Sequence, residues 1–313
     1  MRYYFAPMEG ITDSIYRRVH NKYFPGADAY YMPFLSPTVH RQLTNREARE
    51  LPYADTVGFY TVPQLLTKVS EDFLWAAQQC ADRGYDEVNL NLGCPSGTVV
   101  AKGKGSGMLR DLNTLDQFLE NIFSAAPLPI SVKTRIGVND PVEFDAILEI
   151  YNRYPIKELT VHPRIRKAFY KGDVDMERFH DAYDRSTNPL CYNGDILSVA
   201  QAESLGMEFP KVGAVMIGRG LIGDPGMLTP GGTTVDKLEP FLEELLEEYL
   251  REFGGSRNAM FRLKENWGFL MNLFDDHERL RKRLFKTTDI GEYRQIVREI
   301  LHTLPKREHL PHV

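Results

Sequence analysis

Apolar residues along the first two thirds of the chain fall into two alternating patterns. Short, nearly continuous apolar or β-branched runs occupy residues 2–6, 28–32, 57–61, 86–92, 129–133, 157–162, 189–193 and 212–217, and each predicts a strand. Between most of them apolar residues return every three or four positions, which predicts helices over 13–23, 70–83, 112–124, 141–154 and 198–205. Between the second and third strands only a partial helix, 45–50, is legible. Strands without polar alternation, with helices between them, indicate a parallel sheet. About eight such units within roughly 230 residues fit an α/β fold of the (β/α)8 TIM-barrel type better than an open doubly wound sheet. After residue 217 the strand pattern stops. Helical spacing resumes over 235–253, is halted by Gly254-Gly255, and returns over 258–274 and 289–304 before Pro305. The expected organisation is a barrel domain of residues 1–234 followed by a small helical domain of 235–313.

Composition narrows the class. With 313 residues, 42% hydrophobic and 26% charged, the chain can bury a core and is not a disordered tail. No run approaches the roughly 18 apolar residues of a membrane span, and Met1-Arg2-Tyr3 enters an apolar segment without a charged leader. A cytoplasmic monomer with no membrane partner and no metal is expected. Cys80, Cys94 and Cys191 show no CxxC spacing, which suits a reducing compartment. The net charge of −5 argues against a protein coated in positive field, but from Arg251 onward 13 Lys and Arg face 9 Asp and Glu. That surplus fits either a polyanion partner or an ordinary solvated helical surface.

A barrel carries its reactive groups where its strands end. The first strand runs into Ala6-Pro7-Met8, the third into Pro63-Gln64 and the fourth into Asn91-Leu92-Gly93-Cys94-Pro95. Lys133-Thr134-Arg135, His162-Pro163-Arg164, Asn193-Gly194-Asp195 and Gly218-Arg219-Gly220 follow the last four. Gly218 to Gly223 spells GxGxxG, yet Asp224-Pro225 and further helix follow where a dinucleotide fold needs another strand. Those glycines instead fit a mononucleotide phosphate site, with Arg219 as charged donor and backbone N–H groups of Gly194, Asp195, Gly218 and Arg219 turned inward. Plain turn glycines are the alternative. Cys94, between Gly93 and Pro95, reads as an exposed strained turn suited to proton transfer. Cys80 and Cys191 read as buried and inert. Lys102 and Lys104, among Gly103, Gly105 and Gly107, read as a mobile loop that steers phosphate or closes over the mouth, against a plain solvated loop.

The strand-end motifs, with Gly10 to Asp13 and Ile196, resemble the tRNA-dihydrouridine synthases over nearly the whole chain. The resemblance implies an FMN-binding barrel, a helical tRNA-binding domain, and reduction of uridine to 5,6-dihydrouridine with NADPH or NADH as electron donor. It implies FMN contacts from Ala6, Pro7, Met8, Gln64, Lys133, His162, Asn193, Gly194, Asp195, Gly218 and Arg219, and a proton from Cys94 to uracil C5. Lys133 would stabilise anionic reduced flavin, His162 would donate to the same rim, and Asn91 would read the uracil edge. Lys102, Arg164, Arg166, Arg262, Lys264, Arg281 and Lys282 are assigned to the RNA, with Trp267, Arg279, Arg283 and Lys286 nearby. The chain departs from the family at His162-Pro163-Arg164-Ile165-Arg166, where His-Gly-Arg-Thr-Arg is frequent, and at Val174-Asp175, where a Trp is absent. A frequent Lys is also missing from Ser96-Gly97-Thr98. A flavin barrel enzyme resembling dihydroorotate dehydrogenases, acting on a free pyrimidine, and a non-catalytic flavin-bound RNA-binding protein are the competing readings. The basic cluster from Arg279 to Lys286 argues against the first, and Cys94 with Lys133 against the second.

Overall fold

A computed structural model of the chain describes residues 1–311. Its strands are β1 (Arg2–Phe5), β2 (Ala29–Tyr31), β3 (Thr61–Val62), β4 (Gln64–Leu65), β5 (Val88–Leu92), β6 (Ile130–Arg135), β7 (Leu159–His162), β8 (Leu190–Asn193) and β9 (Ala214–Ile217). They form one parallel sheet in the order β3-β2-β1-β9-β8-β7-β6-β5-β4. The two edge strands are separated in sequence only by Pro63. The Val62 carbonyl accepts from Met32 N on one side at 2.9 Å, and the Pro63 carbonyl accepts from Asn89 N on the other at 2.8 Å. β3 and β4 are thus one strand interrupted by a proline, and the sheet closes into a barrel. Pairing starts at Thr61, which corrects the expected strand at 57–61. Ala54–Thr56 forms a 3-10 turn and Gly58 takes a φ of +79°, so no strand runs through residues 57 and 58.

Alternation along the strands divides the barrel interior into two halves. On β1, β2, β3, β8 and β9 the inward residues are apolar, with Tyr4, Ala6, Ala29, Tyr31, Val62, Cys191, Ala214 and Met216 in one cluster. On β4 to β6 they are Gln64, Asn89, Asn91, Ser131 and Lys133, and their mutual hydrogen bonds offset the cost of burying polar groups. Helices connect the strands. In Leu112–Phe123 the buried Leu115, Phe118, Leu119 and Ile122 repeat at helical spacing, and the Asp111 carboxylate accepts from Asn113 N and Thr114 N. A cap of this kind contributes about 1 kcal/mol.

Contact density divides the chain into two units. The first is Met1–Pro7, Asp28–Gly194 and Glu203–Met216 and carries the barrel strands. The second is Met8–Ala27, Asp195–Ala202 and the chain from Ile217, and it is helical. Within it, helix Ser14–Tyr23 shares a core with helix Val235–Phe253. Phe241 meets the rings of Tyr16, His20 and Phe24 at 5.8, 6.4 and 5.3 Å. Asp13 caps the first helix by accepting from Tyr16 N at 2.9 Å, and it also accepts from Tyr249 OH at 3.0 Å. Trp267 is fully buried and donates to Tyr293 OH at 2.9 Å, so it is a core residue and not part of an RNA-facing surface. No helix among the described residues is long and apolar enough to cross a membrane.

Burial of His20, whose Nε2–H donates to the Pro225 carbonyl at 3.0 Å, pushes its pKa from 6.5 down to about 3. Above about pH 6.5 the ring is neutral in both folded and unfolded chains and has no effect. Below that, the unfolded chain takes up a proton that the folded protein refuses, so this group lowers stability by ~1.4 kcal/mol per pH unit on acidification. Glu158, which burial raises from 4.5 to about 7, has the opposite slope between those values. The His20 contribution is therefore read as a difference. Urea unfolding of His20→Gln and wild type from pH 7 to pH 4.5 should show the variant losing less stability in acid, and parallel pH profiles would contradict the assignment.

Candidate active site

The turn after β5 is fixed atom by atom. Asn91 Oδ1 accepts from Gly93 N at 3.1 Å and Cys94 N at 2.9 Å. Arg135 Nε donates to the Gly93 carbonyl at 3.0 Å, while Ser106 N and Oγ donate to the Cys94 carbonyl at 3.2 and 2.8 Å. Neither Gly93 nor Cys94 has positive φ. The turn is therefore held by side chains and is not strained, which corrects the sequence expectation. The thiol-bearing residue is half-buried, whereas Cys80 and Cys191 are buried. Burial pushes the Cys80 thiol up to about 12.

Residues 105–110 are not a loose loop. They form a 3-10 helix in which Gly105 to Leu109 are buried, and Gly105 packs so closely that a Cβ would lie 3.0 Å from the Cys94 carbonyl oxygen. Lys104 donates to Ser36 Oγ at 3.0 Å, and burial lowers its pKa with help from the charges of Lys102 and Lys68. Lys102 is exposed. Lys68, which the sequence reading passed over, belongs to this basic group.

Lys133 lies on β6, its side chain makes no hydrogen bond to another protein group among the described residues, and burial, followed by the Arg135 charge, pushes it from 10.5 down to about 8. Arg135 is fully buried, donates also to the Ile165 carbonyl at 3.1 Å, and lies 5.3 Å from the Tyr170 ring centroid. Burial lowers its pKa to about 10. Both cations interact electrostatically with Cys94. Arg135 was seen in the sequence only as part of a strand end, and its bond to Gly93 makes it part of the cysteine turn.

His162 and Arg164 form a second small assembly. Arg164 Nη1 lies 3.1 Å from His162 Nε2, and because a guanidinium only donates, Nε2 accepts and the ring proton is on Nδ1. Arg164 also donates to the Gly172 carbonyl through Nε at 3.2 Å and is buried, so its position orients His162 and does not present it to a polyanion. Arg166 stacks over Phe169 at 5.4 Å. The departures from the family pattern meet each other here. The Pro163 carbonyl accepts from Asp175 N at 2.7 Å, and a Cβ on Gly194 would lie 2.8 Å from Val174 Cγ1. Asn193 Nδ2 donates to the Met216 carbonyl at 2.7 Å, and Gln64 is buried between Asn89 and Asn91. Ala6 is buried and Pro7 half-buried at the end of β1.

In the second unit, Met8 N donates to Thr12 Oγ1 at 2.9 Å, and Arg219 donates to Asp195 Oδ1 at 2.5 Å. Gly220 is required because a Cβ there would come within 2.3 Å of the Ile196 carbonyl oxygen. Arg262 is paired with Asp13 at 3.5 Å and Glu265 at 3.0 Å. Lys264 donates to the carbonyls of Phe285 and Thr287 at 3.1 and 2.6 Å, capping the end of helix Glu278–Lys286. Arg279 and Arg283 share Glu299. Arg281 and Lys282 are exposed and, like Lys286, have no carboxylate partner among the described residues.

A closed parallel barrel with an immobilised cysteine turn, a buried Arg135 and a half-buried Lys133 at the carboxyl ends of its strands is the arrangement of a TIM-barrel enzyme. A family model described as Dihydrouridine synthase (Dus) matches residues 4–302, and the chain belongs to that family. It is 28% identical over 248 residues to tRNA-dihydrouridine synthase B of Pasteurella multocida (strain Pm70), covering 78% of this chain and 74% of that one. It is 27% identical over 315 residues to the probable tRNA-dihydrouridine synthase 1 of Synechocystis sp. (strain ATCC 27184 / PCC 6803 / Kazusa), covering 95% and 86%. Among solved structures, morphinone reductase superposes with a TM-score of 0.52 at 12% identity over 74% of this chain and 86% of that one, a likeness of fold.

Proposed function

We propose that the protein reduces uridine in tRNA to 5,6-dihydrouridine, with FMN as its flavin, NADPH or NADH as electron donor and Cys94 as proton donor to C5. The observation that carries this reading is the Cys94 turn, gripped at the Gly93 and Cys94 amides and carbonyls while the residue itself stays half-exposed. FMN, once reduced, supplies the hydride that reaches C6 of the uracil ring. The Cys94 thiol gives its proton to C5, and the charges of Lys133 and Arg135 stabilise the thiolate it leaves. Solvent then restores the thiol proton. The target base leaves its stack to reach the strand ends.

The residues fit an anionic flavin. Lys133 is a desolvated cation whose side chain has no protein hydrogen bond among the described residues, and an incoming anion would restore its charge. His162 is retained as a flavin contact, with Arg164 orienting its ring. Gln64, Ala6, Pro7, Met8 and Asn193 are retained as flavin contacts, and Gly194, Asp195, Gly218 and Arg219 as the phosphate segment, on their positions after the strands. Asn91 acts through Cys94, because its carbonyl oxygen is committed to the turn. Residues 235–313 are read as the tRNA-binding domain, with Arg281, Lys282 and Lys286 as its phosphate contacts. Arg262 and Lys264 hold the helices that present them. Lys102 and Arg166 remain candidates for the RNA backbone.

A depressed pKa makes Lys133 partly neutral, hence nucleophilic, near pH 8. Acetylation of the FMN-free protein should modify Lys133 ahead of the exposed lysines, and saturating FMN should suppress that reaction. Equal rates with and without FMN would remove Lys133 from the flavin site. The function itself is tested by incubating the purified protein with FMN, NADPH and an unmodified tRNA transcript, followed by nucleoside mass spectrometry. Dihydrouridine in the digest is expected. No conversion of tRNA alongside turnover of a free pyrimidine would establish the competing small-molecule reading.

A further inference from the structure

A line of buried side chains runs through the polar half of the barrel from its amino-terminal end to the Cys94 turn. Asn91 Nδ2 donates to Gln64 Oε1 at 2.8 Å, Gln64 Nε2 donates to Asn89 Oδ1 at 2.8 Å, and Asn89 Nδ2 donates to Ser131 Oγ at 3.0 Å. Ser131 Oγ–H donates to Glu87 Oε1 at 3.1 Å. Glu87 lies just before β5, and its other oxygen is paired with Lys157 and accepts from Tyr60 OH at 3.2 Å. Gln64, Asn89, Asn91, Ser131 and Glu87 are all buried.

The chemistry of the two ends fixes the direction of every bond between them. Two backbone N–H groups, of Gly93 and Cys94, can only donate, so Asn91 presents its oxygen to them and its NH2 to Gln64. An ionised carboxylate can only accept, so Ser131 donates to Glu87 and accepts from Asn89. Starting from either end gives the same orientation for Gln64 and Asn89. An amide in place of Glu87 could turn either its oxygen or its NH2 to Ser131, so the lower end would no longer fix the order and only the Gly93 and Cys94 amides would hold it.

We infer that Glu87, anchored by Lys157 and Tyr60, is a positioning residue that sets the direction of this hydrogen-bond ladder and thereby holds Asn91 against the Cys94 turn. The ladder stands on the geometry alone, while its consequence for proton delivery rests on the uridine-reducing role proposed for Cys94. It also keeps Gln64, on β4, in one orientation between Asn89 and Asn91.

The test is amide hydrogen exchange, read by mass spectrometry, of fragments containing Gly93 and Cys94. Glu87→Gln removes the obligate acceptor, Ser131→Ala cuts the ladder with little change in volume, and Ser131→Thr restores the hydroxyl. The first two should speed exchange at Gly93 and Cys94 by about fivefold or more, the effect of losing one hydrogen bond. Exchange in helix Ile290–Thr303 should not change, and Ser131→Thr should return the turn to wild-type protection. Single-turnover dihydrouridine formation should slow in the same two variants. Should Glu87→Gln fail to fold, the Ser131 pair decides the question. Wild-type exchange at Gly93 and Cys94 in Ser131→Ala, or loss of protection that Ser131→Thr does not repair, would overturn the ladder. Altered exchange with no dihydrouridine formed even by wild type would instead overturn the uridine reading and leave the ladder standing.

Discussion

Cys94→Ala is expected to bind FMN and to let NADPH bleach it at a near-normal rate, while dihydrouridine formation falls about 10²- to 10⁴-fold, the usual contribution of a general acid. The two effects separate because the bonds that shape the turn use backbone atoms of residues 93 and 94, which alanine retains. Asn91, Ser106 and Arg135 keep their partners in the variant. Only the proton source is lost. Stopped-flow flavin absorbance followed by nucleoside analysis of the same mixture reads both steps. Equal loss in both would make Cys94 a structural part of the flavin pocket, and no loss in either would assign the proton to another group or to water.

Reversing the charges of Arg281 and Lys282 to Glu should weaken tRNA binding on the order of 10²-fold or more and flatten its salt dependence, since each phosphate contact contributes roughly 0.7 to 0.9 to the slope of log K against log salt. These two are chosen over the other basic residues of the tail because they are exposed and lack a carboxylate partner among the described residues. Reversing Arg262 or Lys264 would break an ion pair or a helix cap instead. Truncation at residue 234 is a poorer test. It would remove Phe241 and Tyr249 and leave Tyr16, His20 and Phe24 without their packing partners. Filter binding at several salt concentrations measures both affinity and slope, and unchanged values in the double variant would detach this helix from RNA.

Much of the barrel was legible because most of its strands are rich in apolar or β-branched residues, even where β5 and β6 place polar side chains inward, and because its longer helices bury several apolar residues per turn pair. Helices were missed where that signal thins. Met176–Arg185 buries only Phe179 and Ala182, and Glu278–Lys286 only Leu280 and Leu284. The third strand was misplaced because Val57 to Tyr60 is apolar enough, and only Gly58 marks the break. Strand-end chemistry was readable from position, so Cys94, Lys133 and His162 stood out. What those residues lean on was not. Asn89 meets Ser131 across 42 positions and Ser131 meets Glu87 across 44, and such pairs follow from strand register. Charge was equally ambiguous, since Arg164, Arg262 and Lys264 look like RNA contacts until their partners are seen.

The central claim is reduction of uridine in tRNA. Nucleoside mass spectrometry of total tRNA from cells with and without this protein tests it most directly, followed by mapping of the lost residue along the affected tRNAs. The account predicts that dihydrouridine disappears from a defined position when the protein is absent and returns with the wild-type chain but not with Cys94→Ala. Full dihydrouridine at every position in cells lacking the protein, with no other enzyme of this family present to make it, would contradict the account.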